Sequence, residues 1–349
     1  MAVLLAACIT SFLICVIMLP VIIKYSLSKN LGDVPGRRKI HKKVTPSLGG
    51  IAIFIGFIAS TLIWLDFDAW QTTRYVLASL SLVFLLGVRD DLVPLRALHK
   101  LYGQLVAVVI LLFSSVRFTG FYGLLDADIP LAVCYVLTGF VIILVTNSFN
   151  LIDGLDGLAG SVGMISLLAL GIWFFMVDET IFSLFCFAMI GGIVAFLVFN
   201  WEPSEIFMGD TGAMVIGMLL AVSVIHFMNI NFTLPPNHPA RFSGTIGTGV
   251  CFIIVPLMDT LRIIILRTLK GQSPFHPDKS HIHHAIMRLG MTHAKTALIL
   301  GSLNLFCIVI AILLRSSPDV VLLPVIITLG IIFIVLLDRL ILNKLTSKV

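Results

Sequence analysis

Apolar runs of about 17 to 25 residues recur from one end of this sequence to the other. That feature decides which solvent the chain folds in. A helix needs roughly 20 apolar residues, at ~1.5 Å rise each, to cross a hydrocarbon layer ~30 Å thick. Composition agrees: 59% of residues are hydrophobic and 12% are charged, and mean hydropathy is +1.10. Soluble domains carry about 25% charged residues, so a water-soluble body of this size is excluded. No polar stretch exceeds about 30 residues. The expectation is a single membrane domain over residues 1–349 with no soluble appendage.

The runs predict an all-α, polytopic transmembrane helical bundle. Eleven candidate spans fall at about 2–26, 47–65, 72–88, 101–117, 129–146, 158–177, 180–199, 212–230, 246–267, 296–314 and 319–338. Ten is the alternative, because several links are short. The first run, Ala2 to Ile23, lacks a preceding basic residue and a small-residue cleavage pattern. It is longer than the ~7–15 residues of a signal-peptide core, so it is expected to stay as a spanning helix. Cys8, Cys15, Cys134, Cys186, Cys251 and Cys307 all lie inside apolar runs. They form no C-x-x-C pair and read as small buried residues.

Basic residues retained on one side set the orientation of a multi-pass chain. Nineteen of the 23 Lys and Arg fall on one side of the eleven-span arrangement. They cluster after the first span, after the third, around the ninth loop and in the tail. Only Arg74, Arg117, Arg241 and Arg315 fall on the other. The expected topology has the N-terminus outside, the C-terminus in the cytoplasm, and a plasma (inner) membrane location.

Five segments on that cytoplasmic side hold nearly all the polar residues able to do chemistry: 39–50, 87–104, 147–160, 200–214 and 273–290. Asp90 and Asp91 end an apolar span. Adjacent carboxylates repel unless a cation lies near, and burial at membrane depth is costly. The plain alternative is a solvated helix end. Asn147, Asn150, Asp153 and Asp156 are spaced by three, which lines one face of a helix. Their oxygens suit a hard cation such as Mg²⁺. The alternative is a Gly-rich turn with Asn and Asp as caps. Asp210, before a span, reads either as an N-cap or as a further metal ligand.

His281, His283 and His284 form H-x-H-H, with Lys279 and Arg288 close by. Zinc suits them poorly. Adjacent His283 and His284 cannot easily face one ion, and neither a Cys partner nor an H-E-x-x-H pattern is present. Contact with an anion or a sugar is the better reading, beside that of a solvated loop. Lys39, Lys42 and Lys43 suit attraction to anionic lipid, and His41 beside them could meet an anion. His99, His226, His238 and His293 read as structural or exposed.

Taken together, DDLVPLRALHK, NLIDGLDGLAG, FMGDTG and SPFHPDKSHIHHAIMRLG resemble the motifs of the polyprenyl-phosphate N-acetylhexosamine-1-phosphate transferases, in that family's order. The nearest likeness is to the bacterial transferases that use UDP-GlcNAc and undecaprenyl phosphate. The motifs cover about residues 30 to 295. The resemblance implies a Mg²⁺-dependent phosphoglycosyl transferase, with Mn²⁺ as the alternative metal. It would move an N-acetylhexosamine 1-phosphate from a UDP-N-acetylhexosamine to the lipid phosphate and release UMP. That step opens a cell-envelope polysaccharide of the O-antigen, common-antigen or teichoic-acid type.

Residue by residue, the resemblance implies Asp90 and Asp91 as catalytic acids, one deprotonating the lipid phosphate. It implies Asn150 and Asp210 as metal ligands. Asp153 and Asp156 match its nucleotide-side and active-site carboxylates. His281, His283 and His284 match its histidine motif near sugar and diphosphate. Lys100 fits the basic position after the aspartate pair, and Lys43 and Arg288 join the substrate-binding set. A covalent aspartyl intermediate is a rival route. The expected partners are the two substrates, the lipid bilayer and, by resemblance, a second copy in a homodimer. No nucleic acid is expected.

The peptidoglycan translocase is the nearest cousin, but it has three consecutive histidines. The H-x-H-H here argues for a GlcNAc-type donor over UDP-MurNAc-pentapeptide. A secondary transporter is the alternative from another class. Transporters usually carry inverted repeats and a midplane site; here no repeat is visible and the acids sit at helix ends. A scaffold protein would not need five polar clusters on one face.

Overall fold

The structure, a computed structural model, describes residues 1–29, 45–66, 70–125, 127–273 and 281–346. Lys39, His41, Lys42, Lys43 and Lys279 lie outside them, as do the outer-loop acids Asp68 and Asp126. Among the described residues the chain is all-helical, without a strand. Thirteen helices run in order: α1 Ala2–Ser28, α2 Gly49–Trp64, α3 Trp70–Leu92, α4 Ala97–Leu111, α5 Leu131–Ile152, α6 Leu158–Met176, α7 Thr180–Asn200, α8 Gly209–Thr233, α9 Thr245–Phe252, α10 Ile254–Leu269, α11 Ile282–Arg288, α12 His293–Leu313 and α13 Asp319–Thr346.

Seven of these, α1, α5, α6, α7, α8, α12 and α13, are long and apolar enough to cross a membrane. The count rises to eight if α9 and α10 form one broken span. This is a multi-pass membrane protein. The single continuous span read from the sequence at 246–267 is two helices meeting at 87°. Pro256 accounts for the break. It has no N–H to donate back to α9, but it is tolerated in the first turn of α10, where that N–H would have no partner.

The segment expected at 101–117 begins earlier and ends sooner. Ala97 to Lys100 form the first turn of α4, and the helix stops at Leu111. Its 15 residues rise only about 22 Å. α2, of 16 residues, is short in the same way.

α8 is the axis of the bundle. Of its most apolar stretch 83% is buried inside the protein, against 28% for α1 and 22% for α13. α5, α3, α2, α6 and α9 pack around it, α7 packs on α1, α2 and α6, and α12 lies on α6 and α9. The burial is dispersion packing, since lipid is as apolar as leucine. Close approach therefore depends on small residues. α2 crosses α8 where Gly50 faces Gly212, and a Cβ on Gly50 would collide with the Gly212 backbone. Of the cysteines, Cys8 is partly exposed and the other five are buried, all unbridged.

Polar side chains tie the interior together. Asn304 on α12 donates to Ser166 on α6 at 3.0 Å. Ser79 on α3 donates to the Ala107 carbonyl on α4 at 2.8 Å. At the opposite end of α8 from the site, Asn231 donates to the Phe242 carbonyl at 2.8 Å and to Thr245 at 2.7 Å.

Candidate active site

The C-terminal ends of α3, α5 and α7 and the N-terminal ends of α4, α6 and α8 meet at one end of the bundle. The strand-like stretch before α2 joins them. Phe207 donates its N–H to the Pro46 carbonyl at 2.8 Å, and Gly49 and Gly50 donate to the Phe207 and Met208 carbonyls at 2.9 and 2.8 Å. The TPSLGG segment is thus laid along EIFMGD.

The first turn of α8 carries N–H groups with no partner inside the helix. The Asp91 carboxylate, from the end of α3, supplies one. Its Oδ1 accepts from the Asp210 N–H at 2.8 Å and its Oδ2 from the Thr211 N–H at 3.0 Å and the Thr211 hydroxyl at 2.5 Å. A carboxylate at a helix N-terminus also complements the dipole. Gly209, just before, takes φ +72. A Cβ there would collide with the Ser47 carbonyl and with Asp91. The cap that the sequence offered to Asp210 belongs to Asp91.

That leaves the Asp210 side chain for other partners. Its Oδ2 lies 2.7 Å from Nζ of Lys100, and its Oδ1 accepts from the Asn150 side-chain amide. Lys100 also lies 3.2 Å from Asp90 Oδ2. Asp90 is held by the turn after α3, where its Oδ1 accepts from the Leu95 N–H at 2.6 Å. Asp90, Lys100, Asn150 and Asp210 thus converge from four helix ends.

The spacing of three from Asn147 to Asp156 does not produce one helical face. α5 ends at Ile152 with Asp153 as its C-cap. Asn147 turns away to a reciprocal amide pair with Gln104 on α4, at 2.9 and 3.2 Å. Asn150 faces Asp210. Asp153 is half-buried. Burial, and then the carboxylates of Asp210, Asp91 and Asp156, push it up to about 8.

Asp156 is buried in the turn before α6. Its Oδ2 lies 3.3 Å from Nδ1 of His293 and accepts from the Ser204 N–H at 3.3 Å. Burial raises this carboxyl, but His293 and Ser204 outweigh it and hold the group below its ordinary value. The next residue, Gly157, has φ +74, packs its Cα against Trp201 and donates its N–H to Asn200 at 2.8 Å.

The histidine motif docks on this loop. A Cβ on Gly154 would stand 3.0 Å from Nε2 of His283. Burial and the neighbouring imidazoles of His284, His281 and His293 hold His283 down at about 3, against the pull of Asp259, so the ring is neutral. Ring centroids of His281 and His283 lie 5.4 Å apart at 13°, and those of His283 and His284 lie 4.4 Å apart. His281 Nδ1 lies 2.7 Å from Oδ2 of Asp259 on α10. Arg288 ends α11 and is exposed. Among the described residues no three His, Cys, Asp or Glu are grouped as metal ligands.

Sequence reasoning gave no role to Asp259, Gln104 and Asn200, and read His293, here buried against Asp156, only as structural or exposed. Only Asp259 carried a signal, being a lone carboxylate inside an apolar run.

A carboxylate-rich cluster built from helix ends at one end of an apolar bundle defines a polytopic membrane protein with a candidate polar site. Residues 73–228 match glycosyl transferase family 4. The chain is 30% identical over 345 residues to the probable undecaprenyl-phosphate N-acetylglucosaminyl 1-phosphate transferase of Bacillus subtilis strain 168, covering 98% of this chain and 92% of that one. It is 31% identical over 276 residues to the undecaprenyl-phosphate alpha-N-acetylglucosaminyl 1-phosphate transferase of Salmonella typhi, covering 77% and 72%. The same-named protein of Escherichia coli K12 is 28% identical over 276 residues, with the same coverage. The chain belongs to glycosyl transferase family 4, as its motifs implied.

Proposed function

We propose that this protein transfers GlcNAc-1-phosphate from UDP-GlcNAc to undecaprenyl phosphate and releases UMP. The reaction opens the assembly of a cell-envelope polysaccharide. The observation that carries this reading is the convergence of Asp90, Lys100, Asn150 and Asp210 at the mouth of a membrane bundle, in a chain whose relatives bear those transferase names. A lipid phosphate can reach such a site from the bilayer and a water-soluble donor from the adjoining aqueous face. The basic bias supports the cytoplasmic face of the plasma membrane, where nucleotide sugars are made.

Phosphoryl transfer is mainly positioning and electrostatic stabilisation. Lys100 places a full positive charge between two carboxylates, on the path of an incoming diphosphate. Asp91 is committed at both oxygens to the start of α8. That supports Asp90 as the group that takes the proton from the lipid phosphate, with Asp91 positioning Asp210. His283, held neutral against Gly154, suits contact with the sugar.

The donor set fits magnesium. Asp210 and Asn150 are adjacent, and Asp153 lies in the electrostatic field of Asp210. Magnesium needs only one or two protein carboxylates, with waters and substrate phosphates completing its shell. The same oxygens accept manganese. Bound there, the ion would offset charge on the diphosphate and polarise the phosphorus under attack.

The test uses purified protein, radiolabelled UDP-GlcNAc, undecaprenyl phosphate and Mg²⁺. Label should pass into the organic phase with one UMP released per lipid product. Label that crosses sealed proteoliposomes without entering lipid would overturn the reading in favour of transport.

A further inference from the structure

Asp259 sits in the first half of α10, just beyond the break that turns the chain by 87°. It is 2% exposed, which is costly for a carboxylate unless it is fully engaged. Both oxygens are engaged by the histidine motif. Oδ2 lies 2.7 Å from Nδ1 of His281, and Oδ1 accepts from the Ile282 N–H at 2.7 Å. His281 is itself buried and immediately precedes α11.

We infer that Asp259 is a positioning residue: it fixes both the orientation and the tautomer of His281, so that Nε2 meets the sugar-phosphate half of the donor. A carboxylate only accepts, so the Nδ1 that faces it carries the proton. Nε2 is then the ring nitrogen left to hydrogen-bond the sugar-phosphate half of an N-acetylhexosamine donor. The second contact, to Ile282, fixes the backbone at the ring's own attachment. Ring plane and chain direction are therefore set together. The His281 ring stacks on His283, and His283 rests on Gly154 beside Asp153. His281 is thereby coupled to the carboxylate cluster through two ring contacts.

An Asp–His pair of this kind controls which ring nitrogen faces the substrate. The inference rests on the transferase reading and adds to it a residue that contacts no substrate. Wild-type protein that forms no lipid-linked GlcNAc would end the transferase reading itself. The inference is tested only against active wild type.

The variants are Asp259→Asn, Asp259→Glu, His281→Gln and the double variant Asp259→Asn/His281→Gln. In Asp259→Asn the amide N–H can face Nδ1 and reverse the tautomer at nearly constant volume. kcat/KM for UDP-GlcNAc should fall about 10–100-fold, the cost typical of losing the carboxylate partner behind a metal-bound histidine. KM for undecaprenyl phosphate should stay unchanged. Asp259→Glu should recover part of the loss. The double variant should be no slower than His281→Gln alone, since Asp259 acts through that ring. A loss in Asp259→Asn confined to the active fraction, with both KM values unchanged, would overturn the inference. So would additive losses in the double variant, or wild-type kinetics in Asp259→Asn. If Asp259→Asn does not fold, Asp259→Glu and His281→Gln decide. A matched rise in KM for UDP-GlcNAc in those two supports the coupling, and an unmatched one overturns it.

Discussion

Lys100, in the first turn of α4, reaches Asp210, in the first turn of α8, with Nζ 2.7 Å from Oδ2. The same ammonium stands 3.2 Å from Asp90. Two carboxylates that would repel each other share one cation. Replacing Lys100 by Gln removes that charge while keeping much of the side chain. Turnover should fall about 100–1000-fold, the usual cost of a lost stabilising donor at a reaction centre. The apparent Mg²⁺ requirement should move to lower concentration, because Asp90 and Asp210 are left unneutralised. Titration of activity with Mg²⁺ measures both. A weaker Mg²⁺ response in Lys100→Gln would count against this account.

Asp90 and Asp91 should fail differently. Asp91→Ala strips the partner from two N–H groups at the start of α8. Each buried unpaired donor costs about 1–3 kcal/mol, so the unfolding midpoint should drop. Asp90→Asn should unfold near the wild-type midpoint, lose rate by about 100-fold or more, and lose the acidic limb of its pH profile. Thermal unfolding in detergent, paired with a pH–rate series, separates the two. Equal unfolding midpoints for both variants would remove the distinction.

Gly209→Ala should be among the most damaging single changes. It puts a side chain at φ +72 and drives a Cβ into the Ser47 carbonyl. The backbone strain alone is about 1–2 kcal/mol, and the collision adds to it. Gly120→Ala is the control, because a Cβ there meets nothing closer than 3.9 Å. Yield and unfolding midpoint of the purified variants check the pair, with Gly120→Ala expected at wild-type values.

Asp153 gives the pH dependence. Its carboxyl is pushed up to about 8, by burial first and by Asp210, Asp91 and Asp156 after it. An unfolded Asp ionises near 3.9. Between those values the folded protein holds a proton that the unfolded chain has released, so stability falls as pH rises. Metal-free protein should therefore unfold more easily at about pH 8.5 than at about pH 6. Mg²⁺ should narrow that difference, because a cation favours the ionised carboxylate. In Asp153→Asn the pH dependence should flatten. A midpoint that rises with pH in the metal-free wild type would refute the assignment.

The amino-acid order by itself determined the solvent, the helical class and the chemistry. Apolar runs of spanning length cannot be satisfied in water, and a backbone in hydrocarbon must bond within its own helix. Motifs such as DDLVPLRALHK and FMGDTG were legible because each is local. Their family membership followed from them and the comparisons bore it out. Asp259 was half-legible, as an acid stranded in an apolar run, although nothing local said what it faced.

Only the tertiary structure decided how those pieces share the work. Asp90 and Asp91 are neighbours in the chain, but successive residues on a helix point about 100° apart. One meets Lys100 and the other meets the start of α8, and which is which depends on how α3 packs. The regular spacing from Asn147 to Asp156 suggested one face. In the fold the helix ends at Ile152, and Asn147, Asn150 and Asp156 turn to Gln104, Asp210 and His293 respectively. Asn150 and Asp210, sixty residues apart, become adjacent because Gly217 lets α8 close on α5 at Thr146 and Phe149. Backbone proximity of that kind is a property of packing, and no single segment encodes it.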